Sequence, residues 1–219
     1  MDIFDIVGPI MVGPSSSHTA GAVRIGYVAG KLLEEPIKKA EILLYGSFLA
    51  TGEGHGTRKA IVAGLLGMHP DDYKISRSFE IAKEKGLTFS FTPNELETDI
   101  HPNTVDIHMV NNNGQEMTVR GESLGGGKVR IVKINSVQVD FSGEYSAIIV
   151  IHQDKPGVAA YITKCLSDRN VNIAFMRLFR ESKGEIAYTI VESDGRLPED
   201  IGNTIRKNQH IHEVMIVQM

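Results

Sequence analysis

Gly13-Pro14-Ser15-Ser16-Ser17-His18-Thr19-Ala20-Gly21 is the stretch on which the reading of the first half of the chain turns. It follows an apolar opening (Ile3, Phe4, Ile6, Val7) and runs into Ala22, Val23, Ile25, Ala29, Leu32 and Leu33. Apolar residues at that three-and-four spacing predict a helix. Proline then serine just ahead of it is a helix-start signal, because a serine oxygen accepts from the unpaired N–H groups of the first turn. Three hydroxyls, an imidazole and the positive end of a helix dipole thus converge within one turn, a suitable place for a carboxylate. A serine-rich cap would account for the stretch if it stood alone.

It does not stand alone. Gly52-Glu53-Gly54-His55-Gly56-Thr57 follows a strand-like run (Ile42, Leu43, Leu44, Tyr45) and precedes a second helical pattern through Ala60, Ile61, Ala63, Leu65 and Leu66. The glycines let the backbone turn sharply and approach a ligand closely, and they leave His55 little cover. Strand, glycine-rich turn and helix in this order predict an α/β domain, with the two Ser/Thr/His-bearing helix starts as the walls of a small-molecule site.

With Ser123-Leu124-Gly125-Gly126-Gly127, these two motifs resemble the iron–sulfur-dependent bacterial L-serine dehydratases, and in particular the β subunit of the two-chain form. The resemblance implies β-elimination of water from L-serine, giving pyruvate and ammonia, within amino-acid catabolism and gluconeogenesis. It implies a base at Cα and a Lewis acid on the hydroxyl, the latter an open iron of a [4Fe–4S] cluster. It makes His55 and His18 the candidate catalytic residues, and Ser15, Ser16, Ser17, Thr19 and Thr57 the candidate substrate-binding residues. His55 is preferred to His18 as base, since a loop histidine between glycines is freer to reach substrate than one inside a helix's first turn. An unperturbed imidazole titrates near neutrality, as a base at Cα requires.

The composition sets bounds. The chain has 219 residues, 42% of them apolar and 23% charged, which is ordinary for a soluble protein of one or two domains. A net charge of −4 argues against a nucleic-acid partner. No apolar run approaches the roughly 20 residues that span a bilayer. The beginning of the chain lacks the basic segment and cleavage site of a signal peptide, so a cytoplasmic protein is expected. Cys165 is the single cysteine and falls in an apolar helical pattern with Ala159, Ile162 and Leu166, as a buried structural thiol would. A cluster needs three or four thiolates, so no metal ligands are expected on this chain and the cluster of the resembled enzymes is expected on a partner α subunit.

Further along, strands are expected over 40–48, 87–91, 104–110, 117–121 and 128–139, the last broken once near Lys133. Helices are expected over 57–67 and 77–86. Glu34-Glu35-Pro36 is read as a helix breaker, Asn111-Asn112-Asn113-Gly114 as a hairpin turn, and Gly125-Gly126-Gly127 as a tight turn beside the ligand cleft. His101-Pro102-Asn103-Thr104 either lines the same cleft or simply leads into a strand. Residues 1–140 are expected to form an α/β (α+β) domain with a mixed sheet. Asp140-Phe141-Ser142-Gly143-Glu144 is the linker candidate.

From Tyr145 the pattern becomes strand, helix, strand, strand, helix, strand, the ferredoxin-like βαββαβ order, over 145–219. With Asp154-Lys155-Pro156-Gly157-Val158 and Asn170-Val171-Asn172-Ile173, this part resembles the ACT domain, a module that senses amino acids. The resemblance implies an amino-acid effector at Asp154, Gly157, Val158, Asn170 and Asn172, met across a dimer of such domains, and hence an oligomer. A plain Asp/Pro helix cap would explain the same turn. An alternative function stays open: a non-catalytic regulatory amino-acid-binding protein, similar to the effector-binding regions of some phosphoglycerate dehydrogenases.

Overall fold

The computed structural model of the chain describes residues 10–33, 36–97 and 99–218; the apolar opening Ile3–Val7 and Glu34-Glu35 of the expected breaker lie outside them. The chain divides into two compact units, residues 1–135 and 136–219.

The first unit runs α1 (Ala22–Leu32), β1 (Ile37–Leu44), α2 (Gly46–Ala50), α3 (Thr57–Leu65), a 3₁₀ turn (Tyr73–Arg77), α4 (Ser78–Glu84), β2 (Thr88–Pro93), β3 (Thr104–Asn111), β4 (Glu116–Gly125) and β5 (Lys128–Ile134). Within it the strands lie in the order β2-β1-β3-β4-β5. The β1–β2 pair is parallel and the others are antiparallel, so the sheet is mixed. Val105, Ile107 and Met109 of β3, which alternate in sequence, are fully buried together with Ile42 of β1 and Val119 of β4. Helices α1 and α3 pack at backbone distance. A Cβ placed on Gly64 would fall 2.1 Å from the Val23 carbonyl oxygen, and one on Gly26 would fall 2.3 Å from that of Ile61. Glycine at both positions is what lets the two helices meet, and α1 is the helix that the Ser/His stretch opens.

Two element boundaries differ from the pattern reading. The strand expected over 40–48 ends at Leu44, because Gly46 takes φ 43° and begins α2, with the Ser47 N–H on the Pro102 carbonyl at 2.7 Å. The break expected near Lys133 in the 128–139 run falls two residues later, after Ile134, and the strand pattern resumes at Val137. Asn135, at φ 52°, turns the chain there and is held by reciprocal bonds to Thr118: its N–H donates to the Thr118 carbonyl at 2.8 Å, and its Oδ1 accepts the Thr118 N–H at 3.0 Å.

The second unit comprises β6 (Val137–Phe141), β7 (Ser146–Gln153), α5 (Val158–Ser167), β8 (Phe175–Arg180), β9 (Ile186–Ser193), α6 (Ile201–Ile205) and β10 (Ile211–Val217). Its sheet order is β10-β7-β9-β8, antiparallel throughout, which is the ferredoxin-like topology. Ile148, Val150, Val191 and Val214 of the sheet close on α5 and α6 in one apolar core that includes Cys165. Asp140 and Phe141 lie in β6, and the following loop is tied to Glu192. That carboxylate, 1% exposed, is satisfied by the Ser142 hydroxyl (2.7 Å), the Ser142 N–H (3.1 Å) and Arg177 Nη1 (3.2 Å). A buried charge survives only with such partners. No helix of the described residues is long and apolar enough to cross a membrane.

Candidate active site

The chain enters α1 through a single widened turn, Ser16–Gly21. Ser15, extended at φ −139° and ψ 127°, caps it: its Oγ accepts the His18 N–H at 3.0 Å, and its carbonyl accepts from Thr19 (3.0 Å) and Ala20 (3.2 Å). The bond from Ala20, five residues on, is a π-type bond, and such turns are frequent at functional sites.

The wider turn carries the His18 ring to α2. There Nε2 lies 3.0 Å from Ser47 Oγ and 3.0 Å from Thr51 Oγ1, while Nδ1 lies 3.0 Å from Ser17 Oγ. The donors can be followed round the cluster. Thr51 Oγ1 donates its one hydrogen to the Ser47 carbonyl at 2.9 Å, so toward His18 it can only accept. Nε2 therefore carries the proton and Nδ1 accepts from the Ser17 hydroxyl, which in turn sits 3.3 Å from Ser15 Oγ. Burial, and then the neighbouring His55, hold the His18 imidazole below its ordinary value of 6.5.

His55 stands beside it, with ring centroids 5.0 Å apart and planes inclined by 40°. Its Nδ1 lies 3.0 Å from the Thr51 carbonyl oxygen. A carbonyl only accepts, so Nδ1 bears the hydrogen and the neutral ring keeps its lone pair on Nε2. Among the described residues Nε2 of His55 meets no partner. The loop that carries it is pinned by Thr19, whose hydroxyl donates to the His55 carbonyl at 2.9 Å. Thr57, two residues on and fully buried, has its Oγ1 without a partner among the described residues. An orphaned buried hydroxyl costs about 1–3 kcal/mol, so it requires an explanation, and a ligand group is one.

Ser15, Ser17, His18, Thr19, His55 and Thr57 are thus drawn into one place from two helix starts, with Ser16 on the same turn. Thr19 is 3% exposed and its hydroxyl is committed to the His55 carbonyl, so it serves the site by fixing that loop rather than by facing a ligand. The 101–104 segment adjoins the site: Pro102 receives the Ser47 N–H, and Asn103 Nδ2 donates to the Ser123 carbonyl at 3.3 Å. Ser47 falls inside the strand expected over 40–48, and Thr51 lies between that strand and the Gly52–Thr57 stretch, so neither stands out in the sequence. Their four-residue spacing after Gly46, which puts two hydroxyls on one helical face, is the signal that points to them.

The effector residues expected in the second unit are not gathered within one chain. Asp154 Oδ2 accepts from the Gly184 N–H (3.0 Å) and from Arg180 Nη1 (3.3 Å). The Gly184 N–H first, and then Arg180, hold this carboxyl below the usual carboxylate range. Asp154 thus ties the β8–β9 turn and does not cap α5, which starts from Gly157 at φ 89° with no side-chain cap. Val158 is buried at the start of α5, whereas Asn170 closes its far end with φ 54° and its N–H on the Ser167 carbonyl. Ten residues of helix put about 15 Å between those ends. Asn172 Nδ2 donates to Asp194 at 3.2 Å.

Sequence comparison then finds two family models along the chain, "Serine dehydratase beta chain" over residues 1–133 and "ACT domain" over residues 146–209. The chain is 42% identical over 202 residues to the "L-serine dehydratase, beta chain" of Peptoniphilus asaccharolyticus, covering 92% of this chain and 91% of that one. It is 38% identical over 212 residues to the "Probable L-serine dehydratase, beta chain" of Bacillus subtilis, covering 97% and 96%. It is also 26% identical over 199 residues to the "D-3-phosphoglycerate dehydrogenase" of Bacillus subtilis, covering 90% of this chain and 37% of that protein.

Proposed function

This chain belongs to the serine dehydratase β-chain family, and from that membership we propose that it is the β subunit of an L-serine dehydratase, converting L-serine to pyruvate and ammonia with a partner α subunit in the cytoplasm. The observation that carries the catalytic part is the His55 ring, whose Nδ1–H is fixed on the Thr51 carbonyl so that Nε2 offers its lone pair. In this reading residues 1–140 supply one wall of the active site. Ser15 and Ser16 hold the substrate carboxylate at the positive end of α1, while Ser17, its hydrogen on His18 Nδ1, and the buried Thr57 back the two helix starts that bind the substrate. His55 Nε2 takes the Cα proton as hydroxide leaves Cβ, and the resulting enamine hydrolyses. His18, neutral and bonded at both nitrogens, keeps the His55 ring and the serine hydroxyls in register.

Hydroxide is a poor leaving group, and a [4Fe–4S] cluster supplies the Lewis acid for it when bound. The residues of this chain do not fit such a cluster. Its single thiol, Cys165, is 6% exposed and packed in the apolar core of the second unit. The cluster therefore belongs to the α subunit, and no step on this chain runs through it.

Residues 145–219 act in this reading as an ACT regulatory module. With Gly157 and Asn170 at opposite ends of α5, an amino-acid effector is held between modules of two copies, which makes the enzyme an oligomer.

The test is anaerobic pyruvate release from L-serine by this chain alone and by the chain assembled with its α subunit, with His55→Asn in the assembled enzyme. Turnover only in the assembly, lowered about 100-fold or more by His55→Asn with the complex intact on gel filtration, is the expected result. Unchanged turnover with altered activation by serine would instead assign the His18–His55 site to effector binding, the regulatory reading.

A further inference from the structure

A side chain from far along the sequence reaches into the widened turn. Ser123, fully buried in β4, donates from Oγ to the Ser17 carbonyl at 3.0 Å. Its own backbone is clasped by Asn103: the Ser123 N–H donates to the Asn103 carbonyl at 3.0 Å, and the Ser123 carbonyl accepts Asn103 Nδ2 at 3.3 Å. Opposite the hydroxyl stands Gly21, where a Cβ would fall 2.1 Å from Ser123 Oγ, so only glycine leaves the hydroxyl its room. A polar side chain inserted at the carbonyls of a helix is a recognised cause of local distortion, and here the distortion is the i-to-i+5 turn itself. The residue whose carbonyl is gripped is also the one whose hydroxyl meets His18 Nδ1.

We propose that Ser123 is a positioning residue for His18: by gripping the Ser17 carbonyl it holds the widened turn, and with it the Ser17 hydroxyl on Nδ1 and the ring Nε2 on Ser47 and Thr51. Without the grip the turn relaxes toward ordinary α-helical winding. The Ser17 hydroxyl then leaves Nδ1, and the ring is no longer confined to one tautomer. Among the described residues the titratable group facing His18 is His55; its other neighbours, Ser17, Ser47, Thr51 and Phe48, carry no charge. The role rests on the dehydratase reading only where turnover is concerned, since the tautomer of His18 can be read without any reaction.

The experiment is long-range ¹H–¹⁵N spectroscopy of the histidine-labelled full chain across pH 5–8. The native chain should show His18 as one tautomer, protonated on Nε2. Ser123→Ala should give a mixture of tautomers and a titration midpoint raised toward 6.5, with the rest of the backbone spectrum retained. Ser17→Ala removes the hydroxyl directly and should release Nδ1 in the same way, while keeping the backbone carbonyl that Ser123 grips. A Ser123→Ala chain with native backbone signals and an unchanged His18 tautomer and midpoint would overturn the proposal. Should Ser123→Ala not fold, Ser123→Cys, which fills the volume with a weaker donor, is read in the same way. In the assembled enzyme the acid limb of the pH–rate profile should move with the His18 midpoint. A limb that stays put while the midpoint moves would overturn the role in turnover, whereas absence of pyruvate release from the native assembly would sink the dehydratase reading and leave the spectroscopic result standing.

Discussion

Gly64→Ala tests whether the first unit is held together as described. In the interior of an exposed helix this change would stabilise by roughly 1 kcal/mol, because alanine is the better helix former. In α3 the sign should reverse. The added Cβ would lie 2.1 Å from the Val23 carbonyl oxygen, 2.5 Å from the Tyr27 nitrogen and 2.8 Å from the Gly26 carbonyl carbon, all of them backbone of α1. Ordinary contact begins at 3.4 Å, so the nearest overlap is 1.3 Å, and no side-chain rotation relieves it. Overpacking that forces backbone shifts costs about 1–3 kcal/mol, and with three backbone atoms involved the upper end applies. Setting the helix gain against it leaves a loss of about 2 kcal/mol. Hydrogen exchange at the buried β3 amides Ile107 and Met109 reports the opening of this unit, and protection there should fall about 30-fold. Gly195→Ala, where a Cβ meets nothing within 4 Å, serves as control and should stay within about 0.5 kcal/mol. Because α1 begins at the turn bearing Ser17 and His18, turnover of the assembled enzyme should fall with Gly64→Ala and not with the control. Unchanged or increased protection in Gly64→Ala would refute the close α1–α3 packing.

Two further outcomes follow from the same geometry. His18 is held below 6.5 by burial and by His55, so between its folded and unfolded pKa values the unfolded chain binds a proton that the folded chain does not. Its contribution to stability is therefore complete above about pH 6.5 and is lost as pH falls through the folded value; the urea midpoint should drop on acidification less steeply in His18→Gln, and equal slopes would disprove the linkage. Arg120 bonds Asp106 at 2.6 and 2.8 Å and Glu97 at 2.7 and 2.9 Å, and the Tyr45 hydroxyl, pushed up to about 12 by burial and by Asp106, completes the cluster just ahead of Gly46 and Ser47. Arg120→Leu strands the half-buried Asp106 and should cost about 2–3 kcal/mol in chemical denaturation; a variant as stable as the native chain would show that the cluster holds nothing.

Much of the fold was legible because its signals are local. The alternation through Val105, Ile107 and Met109 is a strand with one buried face wherever it is met, and β3 takes just that form. The βαββαβ order after Tyr145 could be read strand by strand. The misread boundaries lie where a single torsion outweighs the pattern. Gly46 and Asn135 both adopt positive φ: the first ends a strand that the apolar run carried further, and the second puts the break expected near Lys133 two residues later. In the site, the residue types at Ser15–Ser17, His18, His55 and Thr57 announced themselves by their setting among helix starts and glycines. Ser47 and Thr51 did not, because their four-residue spacing counts as a signal only once Gly46 is known to end the strand and start a helix.

The sequence by itself determined most of the helices and strands, that there are two units, and which residue types stand at the two helix starts. These depend on capping, turn chemistry and hydrophobic period, all properties of neighbours along the chain. Only the tertiary structure decided the chemistry of the two rings. His18 has its proton on Nε2 because Thr51, 33 residues away, gives its hydrogen to the Ser47 carbonyl. His55 keeps its Nε2 lone pair open because its Nδ1–H is fixed on the Thr51 carbonyl oxygen. Ser123 joins them from 106 residues beyond Ser17. A hydrogen bond fixes a tautomer only when its partner stands at about 3 Å; the partners of His18 reach that distance because the Ser16–Gly21 turn packs against β4 and meets α2, and that of His55 because the loop after α2 folds back on Thr51.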